Sequence, residues 1–98
     1  MNKTIRKLER QRFSILTDDL TMCYICHQPK QDLHEVYEGS SRLNSMKYGM
    51  VLPLCRYHHQ MIHSNRQLAL QYKILFQKEY EKTHTREEFI KIFKRNYI

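Results

Sequence analysis

Two pairs of metal-binding residue types, far apart in the chain, constrain the fold more than any other feature. The first pair is Cys23 and Cys26, spaced C-x2-C, and the second is Cys55 and His58, spaced C-x2-H. Three thiols and one imidazole at such spacings are typical of a closed, tetrahedral zinc site. We therefore predict a structural zinc ion that joins the two segments. His27, next to Cys26, is an alternative to His58 as the fourth ligand.

The cysteines also indicate in which cellular compartment the protein resides. Three cysteines cannot all pair within one chain, and C-x2-C spacing suits a structural disulfide poorly. Thiolates bound to zinc in a reducing cytoplasm are the better account. The sequence contains no apolar run long enough to cross a membrane, and its basic start is not followed by the apolar stretch of a signal peptide. We therefore expect a cytoplasmic protein with no membrane partner.

Length and charge narrow the class of protein further. A chain of 98 residues forms one small domain with a modest core, which a bound metal often supplements. Lysine and arginine number 17 against 10 acidic residues, a net charge of +7. This excess favours a polyanionic partner, of which nucleic acid is the commonest. A generic basic surface fits equally well, so charge alone does not decide the function, and the oligomeric state stays open.

The sequence pattern divides residues 1–98 into three parts of a single α+β domain. Residues 1–22 begin with a basic arm or short helix. Residues 23–64 hold the metal motifs and form the core. Residues 65–98 are predicted to form two helices, the second of which opens with a capping box from Thr85 to Glu88.

The core is predicted to run in the order strand, loop, strand, helix. Residues 33–37 read as a short strand, and residues 38–45 as a polar loop. A second strand is expected over residues 50–52, ending at Pro53 because proline cannot donate a ladder hydrogen bond. The helix that comes next carries His59 and His63.

Three histidines form a second candidate metal site. His59 and His63 are four positions apart, so on a helix both imidazoles lie on one face and can reach one ion. His34 lies on the strand that is expected to pack against this helix. Imidazole ligands suit zinc, nickel, manganese or iron. Glu35 could add an oxygen ligand or act as a base; the plainer alternatives are a surface histidine pair and a solvent-facing glutamate.

The arrangement of these residues resembles the HNH (His-Me finger, ββα-metal) nucleases. The run from His34 to His59 is similar in particular to small HNH-type proteins encoded by phages and prophages. The matching segments are Leu33-His34-Glu35-Val36 and Leu54-Cys55-x-x-His58-His59-x-x-x-His63. The resemblance implies a ββα-metal (HNH) core with a zinc knuckle and a C-terminal helical extension. It also implies a DNA endonuclease that hydrolyses phosphodiester bonds with a divalent catalytic metal (Mg²⁺, Mn²⁺, Ni²⁺ or Zn²⁺).

The resemblance assigns roles by position. His59 and His63 match the metal ligands on the helix, and His34 matches a strand residue that is usually a third ligand. Glu35 stands where the family has its general-base histidine, and a carboxylate is ordinarily a weaker base than an imidazole. His34 could instead be the base. Met50 occupies a position where the family often has asparagine.

Two further functions fit the same sequence. One is a catalytically inactive HNH-derived module that binds nucleic acid or inhibits a phage or host protein. The other is a zinc-knuckle adaptor whose helices recruit a partner. For DNA contacts, Arg42, Lys47 and Arg56 are candidates to hold phosphate oxygens, with scattered surface charge as the alternative.

Overall fold

A computed structural model describes residues 3–98, so the first two residues of the predicted N-terminal arm lie outside it. Within these residues the chain forms an α+β fold of five α-helices and one two-stranded antiparallel sheet, together with a short 3-10 turn. In chain order the elements are α1 (Lys3–Arg10), β1 (Asp32–Glu35), the 3-10 turn (Gly39–Ser41), α2 (Arg42–Lys47), β2 (Val51–Leu54), α3 (Arg56–Ser64), α4 (Arg66–Tyr80) and α5 (Arg86–Phe93).

The two strands pair along their whole length, from Asp32 opposite Leu54 to Glu35 opposite Val51. The predicted end of the second strand at Pro53 is wrong, because β2 includes Pro53 and continues to Leu54. A two-stranded sheet consists only of edge strands, where proline is tolerated. The Pro53 carbonyl accepts a hydrogen bond from the Tyr24 amide at 2.8 Å, which ties the cysteine knuckle to the sheet.

The predicted polar loop over residues 38–45 is also wrong in part, since it contains the 3-10 turn and the start of α2. Tertiary contacts account for this short helix. The buried Ser45 hydroxyl accepts a hydrogen bond from the Tyr37 amide and donates one to the Tyr37 carbonyl. Met46 is buried as well. A helix of six residues is too short to show a helical pattern in the sequence, so it could not be predicted before these tertiary contacts were known.

The predicted helices outside the core are present. The basic N-terminal segment is helical as α1, and the long helix α4 is capped by Asn65, whose side chain accepts from the Leu68 amide. The capping box that opens α5 is confirmed. The Thr85 hydroxyl accepts from the Glu88 amide, and the Glu88 carboxylate accepts from the Thr85 amide at 3.1 Å.

An aromatic cluster fastens the C-terminal helices to the sheet. The Tyr37 ring lies 4.5 Å from that of Phe93 and 5.4 Å from that of Phe89, measured between centroids. Its hydroxyl donates a hydrogen bond of 2.6 Å to the Lys73 carbonyl of α4. Burial raises the pKa of Tyr37, so the phenol stays protonated and remains a donor. Because Tyr37 lies two residues after the end of β1, this cluster links α4 and α5 to the strand.

Gly49 lets the segment after α1 approach the turn before β2. Its φ angle is +75°, and a β-carbon there would lie 2.5 Å from the Phe13 ring. The Gly49 carbonyl also accepts from the Ile15 amide. Gly39 has a similar φ of +63° but open space where a β-carbon would stand. Both glycines therefore have a left-handed backbone that other residues rarely adopt, but only Gly49 lacks the space for a β-carbon.

We expect Gly49→Ala to destabilise the fold more than Gly39→Ala. Both substitutions incur about 1 kcal/mol for a left-handed alanine, and Gly49→Ala adds about 1 kcal/mol or more for the clash with Phe13. Urea unfolding of the two variants measures the difference. In a Phe13→Ala background the extra loss should vanish; if it persists, the steric account is incorrect.

Candidate metal centres

Four residues from two distant segments bring their ligand atoms within 4.8 Å of one another: Cys23, Cys26, Cys55 and His58. The Sγ atoms of Cys26 and Cys55 are 3.8 Å apart, and His58 Nδ1 is 3.2 Å from Cys55 Sγ. A tetrahedral zinc ion separates two sulfur ligands by about 3.8 Å and a sulfur from a nitrogen by about 3.6 Å. The four residues thus lie close enough to hold a metal such as zinc.

Backbone hydrogen bonds shape the knuckle that supplies the first two thiols. The Cys23 amide donates to the Gln28 carbonyl at 2.7 Å, and the His27 amide donates to the Cys23 carbonyl at 2.9 Å. His27 turns the chain with a φ of +63°, and its side chain is exposed. The cluster contains His58 and not His27, so the arrangement favours His58 as the fourth ligand.

The second pair of ligands sits at the start of α3. Cys55 is the extended residue before the helix, and His58 lies in its first turn. At Cys23, burial raises the thiol pKa, but hydrogen bonds from backbone amides, those of Cys55 and Cys26 foremost, outweigh it and lower the pKa to about 6. This thiol is therefore easily ionised, as a metal-bound cysteine must be.

We expect the purified protein to carry one tightly bound zinc ion at this cluster. His58→Ala should lose the ion and destabilise the fold by more than about 4 kcal/mol, the range reached when a structural metal is lost. The matched control His27→Ala should retain both zinc and stability. Elemental analysis and thermal unfolding check this, and loss of zinc from His27→Ala alone would reverse the ligand assignment.

Three histidines from β1 and α3 form the second cluster. The ligand atoms of His34, His59 and His63 all lie within 4.8 Å of one another, and the Nε2 atoms of His59 and His63 are 3.0 Å apart. Two imidazole nitrogens at this distance cannot both carry a hydrogen directed at the other nitrogen, because the two N–H groups would repel each other. Either they share one proton or both lone pairs face a common cation. The donor set is therefore one that could hold a metal ion.

Asp32 orients one of these imidazoles. Its Oδ2 atom lies 3.1 Å from His59 Nδ1, on the far side of the ring from His63. A carboxylate at Nδ1 holds the proton there and leaves Nε2 free as a ligand, as in the outer shell of many metal sites. The sequence analysis did not single out Asp32. Strand alternation is the signal that could have found it, because Asp32 shares a face of β1 with His34.

His34 is buried and electrically neutral at physiological pH. Burial lowers the pKa of His34 to about 3, because the charged imidazolium loses its hydration. Positive charge on His59, His63 and Lys73 acts in the same direction. The Glu38 carboxylate lies 4.0 Å from His34 Nε2 and would favour the charged form, but it is 50% exposed and screened by water. A neutral imidazole can serve as a metal ligand or as a base.

Glu35, the predicted base or oxygen ligand, is engaged in ion pairs. Its Oε2 accepts from Arg12 at 2.9 Å and its Oε1 accepts from Arg42 at 2.6 Å. Arg42 also donates to Glu9 of α1 at 2.8 Å. Glu35 is not a member of the histidine cluster, although its side chain lines the adjoining pocket.

A pocket of about 230 Å³ opens beside the three histidines. Its lining residues are Leu33, His34, Glu35, Glu38, Gly39, Arg42, His59 and His63. The pocket therefore combines the histidine cluster with one arginine and two carboxylates.

The structure distributes the three predicted phosphate contacts unevenly. Arg42 lines the histidine pocket but is paired with two carboxylates. Arg56 is exposed on α3, with its Nε 3.8 Å from Asp32. Lys47 lines a different pocket and lies over the Tyr48 ring. The structure thus brings only Arg42 into the histidine pocket.

Met50, which stands where the HNH pattern often has asparagine, and Asn44, an asparagine farther back in the chain, both have structural roles. Met50 is fully buried in the core. The Asn44 side chain donates to the Ile92 carbonyl at 3.2 Å and so ties α2 to α5. Neither residue lines the histidine pocket.

Comparison of the chain with protein-family models, curated proteins and solved structures finds no match to any of them. Among the described residues, no helix has the length and apolar character needed to cross a membrane.

The lowered pKa of His34 predicts a pH-dependent stability. Unfolding returns the imidazole to its usual pKa of about 6.5, so between pH 6.5 and 3 the unfolded chain binds the extra proton. His34 therefore makes the fold less stable as the pH falls, by about 2 kcal/mol between pH 7 and pH 5. Urea unfolding of zinc-loaded protein at both pH values measures this.

His34→Gln serves as the control for other acid-sensitive groups. Protonation of the zinc ligands affects both proteins alike, so only the His34 contribution should disappear. Equal pH dependence of the wild type and the variant would contradict the prediction.

Proposed function

We propose that this protein is an HNH-type, metal-dependent endonuclease that hydrolyses DNA phosphodiester bonds at the histidine pocket. The observation that carries the proposal is the convergence of His34, His59 and His63, with ligand atoms within 4.8 Å, beside a cluster suited to zinc. The sequence resemblance to HNH nucleases supports the same conclusion. The DNA substrate and the catalytic ion are parts of this proposal.

The order of elements around the pocket supports a ββα-metal core. β1 carries His34, β2 pairs with it, and α3 follows directly with His59 and His63. His58, in the first turn of α3, belongs to the cysteine cluster, whereas His59 and His63 line the pocket. Adjacent His58 and His59 therefore serve different sites, which a helix allows because successive side chains differ by about 100° in direction.

The residues of the pocket fit a bound divalent ion. His59 and His63 are assigned as ligands, with Asp32 holding the His59 ring in the tautomer that binds metal. His34, neutral at pH 7, is the third ligand or the base that takes a proton from the attacking water. When bound, the ion would polarise the phosphate and stabilise the leaving oxygen.

The basic balance of the chain supports a polyanionic substrate. With a net charge of +7, the protein attracts DNA at long range. Among residues 3–98, Arg42 is the one lysine or arginine that lines the pocket, and its pairing with Glu35 and Glu9 holds the guanidinium in place. An arginine oriented in this way can position a phosphate oxygen without reading the bases.

A second candidate function is a non-catalytic module that binds nucleic acid or inhibits a protein. One observation favours it: Glu35, at the position of the general base, has both carboxylate oxygens occupied by Arg12 and Arg42. If His34 is a ligand, Glu35 is then poorly placed to accept a proton. The two functions differ in whether the protein cleaves.

A plasmid-nicking assay with Mg²⁺, Mn²⁺ or Ni²⁺ separates the two functions. We expect the zinc-loaded protein to nick supercoiled DNA, and His63→Ala to lower the rate about 100-fold or more because a metal ligand is lost. His84→Ala is the matched control, since His84 stacks on Tyr80 and belongs to neither cluster.

The outcomes of this assay are distinct. Cleavage that survives both His34→Ala and His63→Ala would place the activity elsewhere and refute the proposed site. A wild-type protein that binds DNA with a steep salt dependence but never nicks it would instead establish the binding module.

The role of Asp32 can be measured without relying on cleavage. Asp32→Asn should weaken the binding of Mn²⁺ to the zinc-loaded protein about 10- to 100-fold, because the His59 ring loses its orienting carboxylate. Titration calorimetry measures the affinity, and Asp18→Asn, at an exposed position, is the control. Unchanged Mn²⁺ affinity in Asp32→Asn would show that Asp32 does not support the site.

A further inference from the structure

A second pocket, of about 280 Å³, lies between the start of α4 and the segment after α5. Its lining residues are Arg66, Gln67, Ala69, Leu70, Lys73, Arg95 and Tyr97. Three of the seven are cations, and none is acidic. The pocket is therefore a concentrated positive region outside both metal-ligand clusters.

The cations of this pocket are not neutralised by acidic side chains. Across residues 3–98, Arg66, Lys73 and Arg95 take part in no ion pair within 4.0 Å. The predicted phosphate contacts Arg42 and Arg56 differ, because both lie within 4.0 Å of carboxylates. The arginine of the histidine pocket is thus engaged by carboxylates, whereas the three cations of this pocket are not.

The ring of Tyr97 forms an aromatic wall of the pocket and contacts two of the cations. The Arg95 guanidinium lies 4.9 Å from the Tyr97 ring centroid, and Lys73 Nζ lies 5.9 Å from it. Such contacts orient a cation while leaving N–H groups free to donate. The wall itself is anchored, since the Tyr97 amide donates to the buried Gln77 side chain and its ring packs against Tyr37.

The pocket lies close to the three histidines. Arg66 follows His63 by three residues, so their α-carbons are at most about 11 Å apart. The carbonyl of Lys73 accepts from Tyr37, which lies three residues beyond His34. The positive charge of Lys73 is also near enough to disfavour protonation of His34. The two pockets therefore lie on elements that adjoin in the fold, since α4 follows α3 directly.

We propose that Arg66, Lys73 and Arg95 form a phosphate subsite that holds the DNA backbone a few nucleotides from the histidine pocket. Arginine donates to a phosphate through two parallel N–H groups, and lysine acts as a compact point charge. The inference rests on the proposed function for the identity of its ligand. It assigns binding, and not catalysis, to the C-terminal helices.

The test measures DNA binding separately from cleavage. A His63→Ala background prevents cleavage, and fluorescence anisotropy with a labelled 30-base-pair duplex gives the affinity as a function of salt. Lys73→Ala/Arg95→Ala should bind about tenfold or more weakly near 0.1 M salt, with a slope of log K against log salt shallower by about one to two. Zinc content and circular dichroism verify that the variant is folded.

Two controls isolate the subsite from net charge and from packing. Lys78→Ala/Lys91→Ala removes the same charge from exposed positions of α4 and α5 outside the pocket, and should bind like the parent. Lys73→Arg/Arg95→Lys keeps both charges and should retain the affinity. If the test and control pairs bind DNA equally, or if the parent does not bind DNA, the subsite is refuted.

The nicking assay distinguishes this failure from failure of the proposed nuclease. Cleavage by the wild type together with unimpaired binding by Lys73→Ala/Arg95→Ala removes the subsite and leaves the nuclease. A specific loss of binding in that variant, without any cleavage by the wild type, leaves the subsite and removes the nuclease.

Discussion

The cluster of three thiols and one imidazole is the constraint on which the rest of this fold depends. It joins a knuckle at Cys23 and Cys26 to the start of α3 at Cys55 and His58. A chain this small has a limited core, so a metal ligand set that joins distant segments contributes stability that packing alone does not supply. It also contains the N-cap residue of α3, Cys55, and so adjoins the helix that carries His59 and His63.

The second cluster shares the helix α3 with the first one. Because α3 is anchored at its first turn, His59 and His63 approach β1 at a set distance and meet His34 there. Asp32 then selects the tautomer of His59. A site assembled on a strand and a helix holds its donors more precisely than one built on loops.

The cations of the described residues differ in whether they are paired with carboxylates. Arg12 and Arg42 are used to neutralise Glu35, and they tie α1 and α2 to the strand. Three cations without such a partner, Arg66, Lys73 and Arg95, instead line the pocket between the start of α4 and the segment after α5. The paired arginines therefore help to hold the fold, whereas the cations around Tyr97 are not engaged by carboxylates.

The sequence by itself determined the parts that depend on short spacings. C-x2-C, C-x2-H and a histidine pair four positions apart each place their donors by local geometry, and the capping box at Thr85 marks a helix start in the same way. Only the tertiary structure decided what meets across the chain. The short helix α2 exists because Ser45 and Met46 find buried partners. The pairing of Asp32 with His59, the ion pairs of Glu35 and the gathering of cations around Tyr97 likewise depend on contacts between residues distant in sequence, which no local pattern encodes.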